Sequence, residues 1–361
     1  MRFLSIKKIA KEAGVSTATV SRVLNNPGYK CSSEELRERI WKIARELNYM
    51  PNEAARNLKK GITDTSQKVW YLDVLMTRTG NLETDPFFSE LLRVIESEIH
   101  RQGCILMHIF HQPLFSNDRK CRTENIDKVI AQMEPDGDIR SDGLIIIGKC
   151  NDNVLKKLSA KYKSIVSVNR NSTNYLVDEV ICDGKRIAAL AVEYLIGLGH
   201  RKIGYVGDCH NESRYKGYQD TLFHYGIDMD ISYVIEAEHT EAEGYAVMER
   251  LIQRGDAPTA IYCANDMIAI GMLKCLNKYK NHYYVPSIIS SDDIEEAQYT
   301  KPMLTTVRLP KEEMGKFALY LLIDRLGGGH KGIVWTELEG KLMIRESCTL
   351  VENANRMEYY I

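Results

Sequence analysis

The feature that most constrains the fold is a change of pattern near residue 69. Before it the sequence has helical periodicity and no convincing strand, whereas after it short apolar segments alternate with amphipathic helical segments. We predict strands at 69–75, 104–110, 143–147, 164–168, 180–182, 202–206, 233–236, 260–263 and 287–290. Strands that alternate with helices pair in parallel, with helices on both faces. The chain is therefore predicted to be α/β, with two parallel sheets of about five strands behind a small all-α head.

The length and composition indicate several domains and argue against a membrane-spanning, exported or disulfide-stabilised protein. The chain has 361 residues, more than one hydrophobic core normally organises, and its 44% hydrophobic and 27% charged residues are ordinary for a globular protein. No stretch approaches the roughly 20 apolar residues of a membrane span, and the first residues lack a signal-peptide pattern. The nine cysteines are scattered, without a C-x-x-C pair. We expect a cytoplasmic protein with reduced thiols and no membrane association.

Charge is distributed unevenly along the chain. Residues 1–61 hold 13 Lys and Arg against 6 Asp and Glu, although the net charge of the whole chain is −1. A basic head on an acidic body favours a polyanionic partner for the head alone, with a merely solvated surface as the alternative.

The head contains a helix-turn-helix pattern between residues 9 and 24. Gly14 permits a sharp turn between two short helices, and Ser16 is placed to cap the second. The outward side chains near the start of the second helix lie where a recognition helix meets base edges, and they are Thr17, Ala18 and Arg22. Arg22 is the strongest candidate, because a guanidinium can donate two hydrogen bonds to guanine. The side chains predicted to contact phosphate are Ser16, Ser21, Asn25 and Tyr49.

A third helix is predicted from residue 33 to 47. Ser32 and Glu35 have the spacing of a capping box, in which each side chain satisfies a free amide near the other residue. One face is apolar and consists of Leu36, Ile40, Ile43, Ala44 and Leu47. Such short helices must share one core; the alternative is a helical domain with no nucleic-acid role.

Two motifs give the head a family resemblance. The run I-A-x-x-A-G-V-S-x-x-T-V-S-R-V-L-N begins at Ile9, and L-N-Y-x-P-N-x-x-A-R-x-L begins at Leu47. Together they resemble the lactose/galactose repressor (LacI/GalR) family of bacterial transcription regulators. The resemblance implies a hinge helix at 52–60 that orders on DNA, with Arg56 and Leu58 at the minor groove and Leu58 as an apolar wedge. The alternative for Leu58 is packing against the body.

The resemblance extends through the body, with S-D-G-L-I-I at 141–146, L-G-H-R-K-I at 198–203 and A-N-D at 264–266. It implies two Rossmann-like, periplasmic-binding-protein-like subdomains joined by crossovers near Asp183, Thr306 and Gly340. The expected domains are a DNA-binding head at 1–50, a hinge and linker at 51–68, and an effector domain at 69–361. Within the last, the N-subdomain covers about 69–182 plus 307–340, and the C-subdomain about 183–306 plus 341–361.

Ligands of open α/β sheets bind beyond the carboxyl ends of the strands. There the resemblance implies a sugar-like effector between the subdomains, and the residues expected to bind it are Phe88, Asn169, Arg214, Asn265 and Asp292. An amide, a carboxylate and a guanidinium together suit vicinal hydroxyls. Alternatives remain open: Phe88 as core, Asn265 or Asp266 as a helix cap, Arg214 in a surface ion pair, and Asp293 instead of Asp292. We expect Asp85 to cap a helix with Pro86 in its first turn.

The resulting expectation is a sequence-specific transcription regulator, a repressor of carbohydrate utilisation. Its partners would be double-stranded DNA with a pseudo-palindromic operator, a small carbohydrate, and a second copy of the chain in a homodimer. No enzyme activity, metal or cofactor is expected, since His108 and His111 do not share a face and no phosphate-binding glycine motif occurs. The competing functions are a sugar-transport component and a carbohydrate hydrolase with an acidic pair such as Glu241 and Glu243.

Overall fold

The computed structural model divides the chain into two compact units, residues 1–68 and 69–361, which we call the head and the body. It describes residues 6–25, 33–46, 69–78, 85–133, 140–169, 172–174, 176–210, 212–254, 256–279 and 284–353. None of the helices within these ranges has the length and apolar character needed to cross a bilayer.

Three helices form the described part of the head: α1 (Ile6–Ala13), α2 (Thr17–Asn25) and α3 (Glu34–Glu46). Gly14 lies between α1 and α2 with a φ of 68°, a left-handed conformation that favours glycine. The hydroxyl of Ser16 accepts a hydrogen bond from the backbone N–H of Thr19 at 3.1 Å, which caps the start of α2. The predicted turn and cap are confirmed.

The three helices share one small core. Its fully buried members are Ile9, Ala10, Ala13, Val20, Val23 and Ile40, with Val15, Leu36 and Ile43 packed against them. The cap of α3 differs from the prediction, because Ser33 accepts the hydrogen bond from the N–H of Leu36 at 3.2 Å. The third residue of α3 is then Leu36, so the Ser32–Glu35 capping box is wrong in its register. Ser32 itself, like Leu47, lies outside the described residues.

The body alternates strands and helices as the sequence predicts. Its strands are β1 (Tyr71–Met76), β2 (Ile105–His111), β3 (Gly143–Ile147), β4 (Ser164–Asn169), β5 (Asp178–Ile181), β6 (Ile203–Gly207), β7 (Val234–Glu236), β8 (Ala260–Cys263), β9 (Ser287–Asp292), β10 (Thr305–Arg308), β11 (Trp335–Glu337) and β12 (Lys341–Met343). Its α-helices are α4 (Pro86–Arg101), α5 (Asp118–Thr123), α6 (Ile126–Ala131), α7 (Asp152–Lys161), α8 (Gly184–Gly197), α9 (Ser213–His224), α10 (Glu241–Ile252), α11 (Asp266–Tyr279) and α12 (Lys311–Gly327).

Two six-stranded sheets organise the described part of the body. The first has the order β11-β5-β4-β3-β1-β2 and the second β12-β10-β9-β8-β6-β7. Neighbouring strands pair in parallel except β10 and β12, which are antiparallel. Alternate residues of a strand face opposite sides of its sheet, so Val74 and Met76 join one buried cluster whereas Leu75 joins another. The predicted α/β class with parallel sheets is confirmed.

The sequence prediction missed the last three strands, β10, β11 and β12. Each is only three or four residues long, and Thr305 and Thr306 make β10 look polar. These strands mark where the chain passes between sheets. It leaves the first sheet after β5, returns after β10 through α12, which packs on β4, and leaves again between β11 and β12. The chain returns to the first sheet after Arg308, which pairs with Asp292 of β9.

Helices α10 and α11 pack in direct backbone contact on the second sheet. Gly244 of α10 faces the carbonyl of Ile268, and Gly271 of α11 faces the carbonyl of Glu241, so closely that a Cβ at either glycine would overlap that oxygen. Both glycines are therefore required by close approach of two helices.

A buried carboxyl group ties several elements of the second sheet together. Asp266, the first residue of α11, is fully buried and accepts hydrogen bonds from the hydroxyls of Ser290 at 2.5 Å and Thr306 at 2.6 Å. Its second oxygen accepts the N–H of Ile294 at 2.8 Å. Burial, together with the nearby charge of Asp292, raises the pKa of Asp266 to about 7.

Replacing Gly271 by Ala is expected to destabilise the body by about 1–3 kcal/mol, because the added methyl group forces the two helices apart. Urea unfolding of the whole chain measures this effect. Gly197→Ala is the matched control, since nothing lies within 4 Å of a Cβ there, and its free energy of unfolding should change by less than about 1 kcal/mol. Equal effects of the two substitutions would contradict the close-packing argument.

The raised pKa of Asp266 predicts a pH dependence of stability. The folded state holds the proton more tightly than the unfolded chain, so this contribution to stability is present at acid pH and is lost as the pH rises toward about 7. Relative to Asp266→Asn, which does not titrate, the wild-type free energy of unfolding should fall by roughly 2 kcal/mol between about pH 5 and pH 7. Parallel stability curves for the two proteins would show that Asp266 does not titrate in this range.

Candidate functional site

Two of the three side chains predicted to read DNA bases lie on the exposed face of α2. Thr17 and Arg22 are exposed, whereas Val20 and Val23 on the opposite face are buried in the head core. The side chains of Ala18, Ser21 and Asn25 are not described, although their positions lie on α2. Tyr49, Arg56 and Leu58 lie outside the described residues, so the hinge assignments stay predictions. Ser16 is exposed, and its hydroxyl is engaged in the cap.

In the body, four of the five predicted effector residues follow strands at their carboxyl ends. Asn169 ends β4 and Asp292 ends β9, Asn265 lies two residues after the end of β8, and Arg214 is the second residue of α9, which follows β6. Phe88 lies instead in the first turn of α4, behind the cap that Asp85 provides to the N–H of Phe87 as predicted. Parallel strands place their carboxyl ends at one edge of a sheet, which is why residues so far apart in sequence can meet.

Arg214 is the centre of this arrangement and is completely buried. Its Nε donates to Oε1 of Glu212 at 2.9 Å and its Nη2 to Oε2 of Glu212 at 3.0 Å, while Nη1 donates to the carbonyl of Ala264. Burial opposes the charge of the guanidinium, but Glu212 and Asp292 reverse this effect and raise the pKa of Arg214. The surface ion pair considered for Arg214 is thus wrong, because its ion pair with Glu212 is buried.

The two adjacent aspartates at the end of β9 have different partners. Oδ1 of Asp292 lies 4.0 Å from Nη1 of Arg214, whereas Asp293 accepts hydrogen bonds from Arg308 at 2.5 Å and Arg345 at 2.6 Å. Asp292 has a φ of 122°, a conformation that costs a residue with a side chain about 1–3 kcal/mol and that recurs at functional sites. Asp292 is therefore the aspartate beside Arg214.

Asn265 lies next in sequence to Ala264, whose carbonyl contacts Arg214. Its side-chain oxygen accepts the N–H of Ile268 at 3.1 Å, which caps α11, and its Nδ2 donates to the carbonyl of His239 at 3.3 Å. The expectation that Asn265 or Asp266 caps the helix is met by Asn265, while Asp266 makes the buried contacts described above. An effector contact of Asn265 stays a prediction.

The remaining two residues, Asn169 and Phe88, have different surroundings. Asn169 lines a cavity of about 740 Å³ that both subdomains border, together with Lys149, Asp183, Ser213 and Lys216. Phe88 is 2% exposed and packs edge-on against Phe87, with ring centroids 5.1 Å apart, inside the larger buried cluster. Arg214, Asn265 and Asp292 are also at most 2% exposed, so this polar cluster is closed to solvent in the structure.

Two residues of the cluster were not predicted from the sequence. Glu212 holds Arg214, and Nη2 of Arg78, which follows β1 of the first sheet, lies 3.9 Å from Oε2 of Glu212. The pair bridges the two subdomains. The sequence signal of the pair was weak: an acidic residue two positions before an arginine at a helix start, and an arginine in the long segment predicted as a loop at 77–85.

Other candidate chemistry finds less support. Glu241 pairs with Lys274 at 2.7 Å, and Glu243 lies in the same first turn of α10. Within the described ranges, no three His, Cys, Asp or Glu side chains come together as a metal site. None of the eight described cysteines forms a disulfide bond.

Comparison with known proteins places these observations in a family. Residues 5–52 match the family "Bacterial regulatory proteins, lacI family", and residues 192–348 match "Periplasmic binding protein-like domain". A relative with full-length similarity is the HTH-type transcriptional repressor MelR of Bacillus subtilis, 31% identical over 357 residues that cover 95% of this chain and 97% of that protein.

Solved structures show the same fold. A transcriptional regulator CelR–cellobiose complex superposes with a TM-score of 0.64 at 23% identity, and the lac repressor dimer bound to operator and the anti-inducer ONPF with a TM-score of 0.63 at 22% identity. Each covers 96% of this chain and is itself covered completely. With its helix-turn-helix head, its two parallel sheets and its full-length similarity to a repressor, the chain belongs to the lacI family of bacterial regulatory proteins.

Proposed function

We propose that this protein is a sequence-specific repressor of a carbohydrate-utilisation operon, controlled by a small sugar-like effector that binds between the two subdomains. The observation that carries the proposal is the polar cluster of Arg214, Asp292 and Asn265 at the strand ends of a body joined to a helix-turn-helix head. The cellobiose in the complex of the structural neighbour supports a sugar as the class of effector.

Binding to DNA would follow from the exposed face of α2. Inserted into the major groove, Thr17 and Ala18 contact base edges near the start of the helix, and Arg22 donates two hydrogen bonds to a guanine. Ser16, Ser21, Asn25 and Tyr49 contact phosphates and fix the register. The hinge places Arg56 and Leu58 at the minor groove, where an apolar wedge bends the duplex.

Two copies of the chain are required for this arrangement, because each head reads only one half-site. A homodimer with two-fold symmetry matches a pseudo-palindromic operator. The lac repressor neighbour is itself a dimer on its operator, which supports this stoichiometry.

Effector binding would act on DNA binding by linkage. Asp292, Asn265, Arg214, Asn169 and Phe88 belong to two subdomains, so a ligand that contacts all of them changes the free-energy difference between open and closed arrangements. The equilibrium between open and closed subdomains would then be coupled to the spacing of the two heads in the dimer. Because linkage is reciprocal, the operator changes the affinity for the effector by the same factor.

Replacing Arg22 by Ala should abolish the preference for the operator. The duplex is first selected from a random pool with the wild-type protein, and binding to it and to a scrambled duplex is measured by fluorescence anisotropy. Loss of a bidentate guanine contact should lower the ratio of the two affinities by about 10- to 100-fold.

The matched control is Lys42→Ala on α3, which also removes one exposed positive charge from the head. It should weaken binding to both duplexes slightly and leave their ratio unchanged. If Arg22→Ala behaves in the same way, then Arg22 contacts phosphate and the base-reading assignment fails.

Replacing Asp292 by Asn should remove the response to the effector. The effector is found as the member of a panel of neutral mono- and disaccharides, cellobiose included, that raises the melting temperature of the wild-type protein. Loss of a charged hydrogen-bond acceptor should weaken its binding by about 10- to 100-fold, so the operator complex no longer responds to it.

Asp256→Asn is the control, because this aspartate of the same subdomain is 66% exposed and pairs only with Lys202 among the ion pairs described. It should leave the response unchanged. A wild-type-like response of Asp292→Asn would contradict the placement of the effector beside Arg214, and a panel without any stabilising sugar would contradict the effector class.

A further inference from the structure

Glu212, the residue that precedes α9, makes more hydrogen bonds than a helix-capping residue needs. It is 3% exposed, its side chain caps α9 by accepting the N–H of Arg214 at 3.3 Å, and it also binds the guanidinium of Arg214 through both carboxylate oxygens. A capping role alone needs one oxygen and one amide.

The consequence is that the binding face of Arg214 is already occupied. An arginine recognises a carboxylate or phosphate through the parallel N–H groups of its fork. In this protein the Nε and Nη2 pair of that fork donates to Glu212, and Nη1 donates to Ala264. A ligand anion can use the Nε and Nη2 pair only after Glu212 has moved away.

The ion pairs described around Arg214 contain two charges of each sign. Arg78 and Arg214 carry two positive charges, and Glu212 and Asp292 carry two negative charges, all within 4.0 Å of a partner. A bound anion would add an unbalanced charge next to two buried carboxylates, which is unfavourable in a medium of low polarity. Hydroxyl groups add no charge, and they can donate to a carboxylate while accepting from an N–H group.

We propose that Glu212 is a specificity-determining residue, which by occupying the fork of Arg214 restricts the effector to uncharged, hydroxyl-rich molecules and excludes carboxylated or phosphorylated ones. The inference rests on the proposed function, because it assumes that the effector binds beside Arg214. Arg78 strengthens the effect, since it reaches Glu212 from the other subdomain and adds a second cation to the same carboxylate.

The test removes the negative charge of Glu212 while keeping the size and shape of its side chain. Full-length wild-type protein, Glu212→Gln and the double variant Glu212→Gln with Arg214→Met are titrated with inorganic phosphate and with glucuronate, against glucose and sodium chloride at equal ionic strength. Binding is measured by isothermal titration calorimetry and by the shift of the melting temperature. The double variant separates binding at Arg214 from binding at the lysines of the neighbouring cavity.

We expect the wild type to show no Arg214-dependent binding of phosphate or glucuronate. Glu212→Gln should bind at least one of these anions at least about tenfold more tightly, and the double variant should lose this gain. The proposal is overturned if the wild type binds either anion as tightly as Glu212→Gln, if the variant gains nothing, or if the gain persists in the double variant.

Removal of a buried carboxylate can also prevent folding, which circular dichroism reveals. Glu212→Ser then replaces Glu212→Gln with the same expected gain, since serine keeps a capping hydroxyl and leaves space at the fork. If neither variant folds, the wild-type titration decides: anion binding that Arg214→Met abolishes overturns the proposal, and its absence while the neutral sugar binds supports it. Operator binding by wild-type protein and Asp256→Asn is measured in parallel, so that failure of the regulatory function is distinguished from failure of this specificity.

Discussion

The whole arrangement depends on the three passages of one chain between two parallel sheets. Each passage forces the carboxyl end of a strand in one sheet toward the other sheet, and the contact of Arg78 with Glu212 shows that these ends meet. Because one buried cluster of apolar side chains includes residues of both sheets, the two subdomains pack as neighbours in one body. Residues separated by more than a hundred positions in the sequence thereby become one polar site.

That site is filled by its own side chains. A fully buried guanidinium is stable only with compensating acceptors, and Glu212 and Ala264 supply them while Asp292 completes the charge balance. Arg214, Asn265 and Asp292 are at most 2% exposed, so a ligand that binds beside Arg214, as proposed above, would require the surrounding side chains or subdomains to move. Such a movement would couple effector binding to the conformation of the body, which the proposed control of DNA binding requires.

The sequence predicted local features, such as turns and helix caps, better than it predicted contacts between residues that are distant in the chain. Gly14 with Ser16, and Asp85 with Pro86, identified a turn and two helix caps because those features depend on residues two or three positions apart. The cap of α3 was predicted one residue too early because the sequence offers two adjacent serines, Ser32 and Ser33, and either of them can cap a helix. The short strands β10 and β11 were not predicted because their strand structure depends on the strands they pair with more than on their own composition.

Periodicity and motif spacing, which are local properties of the chain, were enough to predict the α/β class and the helix-turn-helix head, while Arg214 was a candidate that the family resemblance supplied. The folded structure was needed to show that Asp292, and not Asp293, lies beside Arg214 and that Glu212 binds the guanidinium of Arg214. Asp292 and Asp293 are the same type of residue and differ in the direction in which each side chain leaves the end of β9. That direction is set by the backbone turn at φ 122° and by Arg308 and Arg345, which reach Asp293 from other parts of the fold.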